Sequence, residues 1–322
     1  MQPPPTPKTF PALVWLALSL AVFTAAGWAD ETGLSLASRN KIMNRSNDEI
    51  QRILSTFSVP DRDSYPELQA YSRDDLYHDF FGGGGLYLAI KMLRTLRLQP
   101  GQVVLDLGCG KGETSIFMAK HYGVQVKALD LWTSAGFLDE KFAARGLGDR
   151  IQAIQMDATQ PLPYAAAEFD TIFCMNSFSF YGATPGFLPR LLTHLKPGGQ
   201  LCLGSEALSA EFTPEQLTNP PFIYAFKLPP PNEQVDVFKD DFVKQHTPGW
   251  WRTFFQASGL LEVETCQELE DAEAVYEELV RYEHENQIDP FDVQICLDQI
   301  EWGRNRQPKK TLFVLTAQKK FS

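Results

Sequence analysis

The chain has 322 residues, of which 44% are hydrophobic and 21% are charged, and its formal net charge is -11. This mixture is that of an ordinary globular protein, so a fibrous or disordered body is excluded. The length fits one large domain with additional segments. The acidic balance argues against nucleic acid as a partner, because a negative surface repels a phosphate backbone.

The first predicted element is an uncharged, apolar stretch over residues 10–29. It is long enough to span a bilayer, and the small residues at its end are also typical of a secretory signal. Both interpretations stay open: a membrane association through residues 10–29, or export. Arg39, Lys41 and Arg45 follow the stretch and favour a body in the cytoplasm.

The cysteine pattern gives independent information on the compartment and on metal binding. Five cysteines are widely spread and include no Cys-x-x-Cys pair. We interpret them as free thiols in a reducing compartment, and we expect no metal site.

Residues 30–81 form a predicted helical segment before the main domain, which we place at residues 82–322. Four aromatic side chains of this segment, at Tyr71, Tyr77, His78 and Phe81, precede the glycine run Gly82–Gly85. We predict a lid whose aromatic groups exclude water from a site and whose glycines act as a hinge. A plain linker is the alternative.

Short apolar runs then alternate with helical stretches, which predicts buried parallel strands in a doubly wound α/β sheet. The predicted strands are 102–107, 124–130, 151–155, 169–175 and 200–204, followed by 261–264 and 311–317. Two inserts interrupt the later part, a proline-rich one at 207–245 and a helical one at 268–305. We expect them to form a cap over the site.

The strongest motif is the run from Val103 to Glu113, in which a strand passes through a glycine turn into a helix. The glycines let the backbone turn tightly and let a ligand approach closely. A dinucleotide-binding fingerprint needs glycine where Glu113 stands. Asp106 beside the turn would repel a pyrophosphate but attract an ammonium group. A nicotinamide-dependent oxidoreductase is therefore the less favoured alternative to a protein that binds S-adenosylmethionine (SAM).

The segment Asp106–Gly112 resembles motif I of the class I SAM-dependent methyltransferases, and the likeness extends from about Gly82 to Ala317. The resemblance implies a Rossmann-like sheet of about seven strands with an antiparallel last strand, SAM as the cofactor, and a small-molecule or lipid-like acceptor. It implies that Asp130 holds the ribose and that Asp157 meets the adenine amino group. The cofactor-binding residues implied are Asp106, Gly108, Gly110, Gly112, Asp130, Leu131, Asp157, Ala158 and Asn176.

The candidate catalytic residues are His78 and Tyr181. The titration range of histidine suits a base, and Tyr181 ends a run from Asn176 that we expect to contact the acceptor together with Glu206. Ser179 stands where similar family members carry a histidine, which leaves the base unassigned. A SAM-binding regulatory or assembly protein without methyl transfer is therefore a further alternative.

Overall fold

The computed structural model describes residues 45–218, 246–288 and 290–321. The predicted signal or anchor at residues 10–29, and most of the proline-rich insert, lie outside the described residues. Across those three ranges, no helix is both long and apolar enough to cross a membrane.

The N-terminal segment begins with helix α1 (Asn47–Leu54), which Ser46 caps by accepting a hydrogen bond from the Glu49 N–H group. Two 3₁₀ turns, α2 (Arg73–Tyr77) and α3 (Gly85–Leu93) follow. Several of its apolar side chains are almost fully buried, so the segment packs into the protein core. They include Tyr65, Leu68, Leu76 and Tyr77.

The described residues form a seven-stranded sheet with strand order β3-β2-β1-β4-β5-β7-β6. The strands are β1 (Val103–Leu107), β2 (Gln125–Asp130), β3 (Ile151–Gln155), β4 (Phe169–Met175), β5 (Leu195–Leu208), β6 (Leu261–Glu268) and β7 (Lys310–Lys319). β1 to β5 pair in parallel, and β7 runs antiparallel to both of its neighbours. The predicted Rossmann-like sheet with an antiparallel last strand is confirmed.

Helices cover both faces of this sheet. They are α4 (Glu113–Tyr122), α5 (Ala135–Ala144), α6 (Phe178–Tyr181), α7 (Phe187–Thr193), α8 (Pro214–Thr218), α9 (Pro248–Ala257), α10 (Ala272–Glu285) and α11 (Pro290–Asn305). One hydrophobic cluster joins the N-terminal segment to α3, α4, α10 and α11, and a second contains α7 and α9. The two clusters make the sheet doubly wound.

Polar contacts tie the N-terminal segment to α10 and α11. The hydroxyl of Tyr65 donates to Asp271 at 2.5 Å. The buried carboxylate of Glu277 accepts from the Ser58 backbone at 2.7 Å and from Arg304 at 2.6 Å. Charge-assisted bonds of this kind are stronger than neutral ones. These bonds therefore stabilise the packing of the N-terminal segment against α10 and α11.

Strand β5 is longer than the predicted 200–204 because β7 pairs with it as far as Leu208. The turn residues Lys196–Gly199 also fall within its bounds, with a register irregularity opposite Phe169 and Thr171.

Candidate active site

The glycine turn between β1 and α4 forms the floor of a cleft at the carboxyl edge of the sheet. Gly108 has φ +77°, and a Cβ atom there would lie 2.2 Å from the Ser177 hydroxyl oxygen. Both the backbone conformation and the available space therefore require glycine. The Gly108 N–H group bonds to the Leu129 carbonyl at 2.8 Å, which holds the turn against β2.

Asp106 lies beneath this turn and is almost fully buried. Its Oδ2 atom accepts hydrogen bonds from the Thr114 and Ser115 hydroxyls, each at 2.6 Å. Burial raises the pKa of Asp106 to about 6, although both hydroxyl bonds oppose the rise. Thr114 lines the cleft, so its side chain lies between the Asp106 carboxyl and the open space of the cleft.

Asp130, the last residue of β2, binds three backbone N–H groups. Oδ2 accepts from Gly110 at 2.9 Å, and Oδ1 accepts from Trp132 and Thr133 at 2.8 Å. The carboxylate therefore joins the glycine turn to the connection that leads into α5. Asp130 and the adjacent Leu131 both line the cleft.

The end of β3 contributes Met156, Asp157 and Ala158 to the same wall. Asp157 accepts from the Thr159 N–H at 2.8 Å and from the Thr159 hydroxyl at 2.7 Å. Partial burial opposes ionisation, but these bonds outweigh it and hold the pKa of Asp157 below its usual value.

Asn176 follows β4 and has a left-handed backbone, with φ 55°. Such strain in a residue other than glycine is concentrated at functional sites. Its Nδ2 group donates to the carbonyls of Phe81 at 3.1 Å and Gly83 at 2.8 Å. Its Oδ1 atom is buried and has no hydrogen-bond partner among the described residues. Asn176 thus fixes the N-terminal segment over the cleft and keeps one acceptor unused.

Tyr181 ends α6 and belongs to a hydroxyl chain in the wall. Its hydroxyl lies 2.9 Å from that of Ser177, which donates to the Leu107 carbonyl at 2.9 Å. Ser177 has a single proton, so Tyr181 is the donor in their shared bond. Burial raises the pKa of Tyr181 well above its usual value, and the phenol stays protonated at neutral pH.

Residues 79–81 of the N-terminal segment close one side of the cleft. The Asp79 carboxylate bonds to Lys141 at 2.7 Å and to Lys111 at 3.2 Å. The Lys111 ammonium also lies 5.5 Å from the centre of the Phe81 ring. Phe80 and Phe81 both line the cleft. These contacts fasten the segment to the glycine turn and to α5.

Glu206 does not line the cleft; it lies against the N-terminal segment at Gly83. Its carboxylate bonds to Lys310 at 2.8 Å and to the Tyr276 hydroxyl, and a Cβ atom on Gly83 would come within 2.9 Å of it. Burial opposes ionisation of Glu206, yet the Lys310 charge keeps its pKa below the usual value.

The cleft has a volume of about 880 Å³ including its open mouth. Eight of the predicted site residues line it: Gly108, Gly110, Asp130, Leu131, Asp157, Ala158, Asn176 and Tyr181. Three others do not. Asp106 lies behind the wall, and Gly112 begins α4, where a Cβ atom would meet Phe142 at 2.6 Å. His78 is exposed, and its Nδ1 atom lies 3.5 Å from the Tyr282 hydroxyl.

The wall also contains residues that sequence patterns did not single out, notably Phe80, Thr114, Trp132 and Met156. Each of these residues lies next to a predicted strand end or beside a run of glycines. That position in the sequence is the signal that could have identified them as part of the site. Ser179, the position left without a base, is not part of the wall, whereas Phe180 is. Among the residues described, no group of three or more His, Cys, Asp or Glu side chains is arranged to hold a metal ion.

Comparison with known proteins gives one family for the central region. Residues 104–199 match the family described as "Methyltransferase domain". Phosphoethanolamine N-methyltransferase 1 of Arabidopsis thaliana is 31% identical over 140 residues, which cover 42% of this chain and 28% of that protein. A ubiquinone biosynthesis O-methyltransferase of Burkholderia thailandensis is 31% identical over 142 residues, which cover 41% of this chain and 59% of that protein.

The fold agrees with a solved structure of similar architecture. Haemonchus contortus phosphoethanolamine N-methyltransferase 2, in complex with SAM, superposes with a TM-score of 0.56 at 15% identity, covering 82% of this chain and 61% of that one. This chain therefore matches less than two thirds of the length of these relatives. The family match over residues 104–199 contains the glycine turn, strands β2 to β4 and nearly all of β1.

Proposed function

We propose that this chain, a member of the class I SAM-dependent methyltransferase family, transfers a methyl group from SAM to a small-molecule acceptor. The observation that carries the proposal is the meeting of a glycine turn and two strand-end carboxylates, Asp130 and Asp157, in one cleft. Ligands of open α/β sheets bind at this edge.

The residues present fit SAM. The glycine at 108 leaves room that a side chain would fill, so the amino-acid part of the ligand can approach the backbone. Carboxylate oxygens accept more than one hydrogen bond each, so Asp130 retains capacity for ribose hydroxyls beside its N–H donors. Asp157 and the backbone of Ala158 would meet the adenine. Asp106 acts from behind the wall by its negative charge.

When bound, SAM would supply an electrophilic methyl group to a lone pair of the acceptor, with S-adenosylhomocysteine as the leaving group and the acceptor's proton released to bulk solvent with the products. The chain's part is orientation and exclusion of water, which together account for much of the rate of such reactions. Phe80, Phe81 and Phe180 supply apolar walls for this purpose, and the Tyr181 phenol, which donates its hydrogen bond to Ser177, adds a neutral polar group. His78 takes no part in this arrangement.

A nicotinamide cofactor fits the cleft less well. Glu113 lines the wall where a dinucleotide-binding turn carries glycine, and the Asp106 carboxyl lies directly beneath the turn. These negative groups oppose a pyrophosphate. The names of the relatives contain phosphoethanolamine and ubiquinone, so a metabolite or a lipid-like molecule is the acceptor class we propose here.

The test is SAM titration by calorimetry together with transfer of labelled methyl groups into metabolite and lipid extracts. The variant Asp130→Arg should weaken SAM binding at least tenfold and abolish transfer, because it places a cation where the ribose hydroxyls need an acceptor. Asp149→Arg, at an exposed position of the α5–β3 connection, is the matched control and should change neither.

Two outcomes would contradict the proposal. Unchanged SAM affinity in a folded Asp130→Arg variant would remove Asp130 from the site. SAM binding without transfer to any fraction of the extracts would support the alternative of a regulatory or assembly protein.

We also propose that the body of the chain faces the cytoplasm, where SAM is made. The five cysteines are free, and four of them are buried. Labelling of Cys266, the partly exposed one, in lysed cells but not in intact cells is the expected result. Labelling in intact cells would contradict it and favour export.

A further inference from the structure

The wall of the cleft consists of two chemically different parts. The carboxylates Asp130 and Asp157 lie at the ends of β2 and β3, which occupy one edge of the sheet. The other part combines the end of β4, on the far side of β1, with two residues of the N-terminal segment. It is neutral and mostly aromatic, and it consists of Phe80, Phe81, Met175, Asn176, Ser177, Phe180 and Tyr181.

The order of the strands orients the ligand if the proposed function is correct. Adenine and ribose at β3 and β2 direct the rest of SAM across β1 toward β4. The reacting methyl group then meets the neutral part of the wall. We call this neutral part, with the seven residues just named, the acceptor wall.

No lysine, arginine or histidine is among the described residues that line the cleft. The nearby cations are already engaged: Lys111 bonds to Asp79 at 3.2 Å, Lys141 bonds to Asp79 and Glu113, each at 2.7 Å, and Lys310 bonds to Glu206 at 2.8 Å. A phosphate or carboxylate at the acceptor wall would lose its hydration without gaining a counter-charge. Burial of an unpaired ion is strongly unfavourable.

The acceptor wall also lacks a free carboxylate to pair with an ammonium group, because Asp79, which lines the cleft beside Phe80, is already bonded to Lys111 and Lys141. This absence suits methyl transfer, because a protonated amine has no lone pair to react. A neighbouring carboxylate would stabilise that unreactive form. The hydrogen-bonding groups that the wall does offer are neutral, and they include the unpartnered Oδ1 atom of Asn176.

We propose that the acceptor is an uncharged molecule with an apolar or aromatic body and a neutral hydrogen-bond donor, such as a hydroxyl group, next to the reacting atom. This proposal rests on the proposed function and narrows its substrate class. Asn176 Oδ1 would accept the donor's hydrogen bond, and the three phenylalanines would enclose the apolar body. Phosphorylated amines and carboxylated acceptors would find no free counter-charge among the described residues that line the cleft.

The experiment incubates the full chain with methyl-labelled SAM and metabolite and lipid extracts. Unreacted SAM is removed on a cation exchanger, and the remaining label is separated on an anion exchanger. At least ten times more label should appear in the unretained, neutral fraction than in the retained one. A larger retained fraction, or faster methylation of added phosphoethanolamine than of any neutral fraction, would overturn the inference while leaving the proposed function intact.

Absence of label from every fraction would contradict the proposed function itself, and this inference with it.

A variant adds an independent measurement. Phe180→Arg places a cation in the acceptor wall and should lower neutral product at least tenfold, with a larger share of the remaining label in the retained fraction. Ser179→Arg, on the same helix but outside the wall, is the control. Equal losses in the two variants, with no change in label distribution, would contradict the placement of the acceptor against Phe180.

Discussion

The Asp106 carboxyl changes its ionisation close to physiological pH, because burial raises its pKa to about 6. Under the proposed function, the ionised form would attract the positive charges of SAM, and the protonated form would not. SAM affinity should therefore fall as the pH drops through 6, by roughly fivefold or about 1 kcal/mol between pH 7.5 and 5. Calorimetric titration at several pH values measures this change.

Asp106→Asn is the control for that profile. It keeps the shape of the side chain but cannot ionise, so its affinity should be lower at pH 7.5 and nearly independent of pH down to 5. A wild-type profile that matches the flat profile of the variant would show that Asp106 has no electrostatic part in binding.

We propose that Tyr181 acts as a neutral hydrogen-bond donor in the wall, because its phenol stays protonated at neutral pH and donates to Ser177. Tyr181→Phe removes one hydrogen bond and should lower kcat by no more than about tenfold. The pH dependence of kcat should keep its shape between pH 6 and 9. Loss of an alkaline rise in the variant would instead identify the phenolate as the base.

Several site residues were predictable because local sequence determines them. Asp106, Asp130 and Asp157 end or nearly end apolar runs, and Gly108 stands in a turn that requires its conformation. The position of His78 was not predictable in this way. Phe80 and Phe81, which follow it closely in sequence, line the cleft, but the imidazole lies beside Tyr282, a contact between residues 204 positions apart.

At the level of elements, the segment 79–83 depends on a few polar contacts for its place over the cleft. Asp79→Asn removes its charge from between Lys111 and Lys141, two ion pairs that are partly shielded from water. Weaker closure should raise the KM for SAM severalfold and lower kcat, because water enters the site. Steady-state kinetics with labelled SAM measure both constants.

Asp63→Asn provides the matched control, since this exposed carboxyl lies in the first 3₁₀ turn, away from the cleft wall. It should leave both constants unchanged. Equal kinetics in the Asp79 variant and the wild type would contradict a closing role for the segment.

Strands β1 to β4 were predicted nearly to the residue because a parallel sheet leaves continuous apolar runs, whereas β5 and β6 extend well beyond the predicted 200–204 and 261–264. The association of α1 to α3 with α10 and α11 could not be predicted. It depends on pairs such as Ser58 and Glu277, which are 219 residues apart, and each member alone is an ordinary polar residue. Tyr71 packs against Phe117, and Tyr77 packs beside Tyr87 and Tyr282, so neither tyrosine covers the cleft. The lid hypothesis therefore now applies to residues 79–81 alone.

At the scale of the whole molecule, residues 45–81 contribute to the stability of the fold. Burial of a large apolar side chain stabilises a protein by roughly 1.5–3 kcal/mol. Four nearly fully buried side chains, Tyr65, Leu68, Leu76 and Tyr77, are thus comparable with the whole net stability of a domain, about 5–15 kcal/mol. Removal of residues 1–81 should therefore leave an insoluble or unfolded product.

Removal of residues 1–29 is the matched truncation and should preserve the thermal midpoint, SAM affinity and transfer. Circular dichroism melts and calorimetry of the two truncated proteins provide the comparison. A folded, fully active protein that begins at residue 82 would show that the N-terminal segment is dispensable.

The bond between Tyr65 and Asp271 joins residues 206 positions apart, and β7, near the C-terminus, inserts between β5 and β6. A ribosome adds about 5–20 residues per second. The time between synthesis of the apolar side chains of residues 45–93 and synthesis of their partners is therefore on the order of 10–40 s. Contacts of such long range also slow folding after release. The newly made chain therefore exposes its N-terminal hydrophobic surface throughout synthesis, and its production in the cell should depend on chaperones that bind this surface until α10 and β7 arrive.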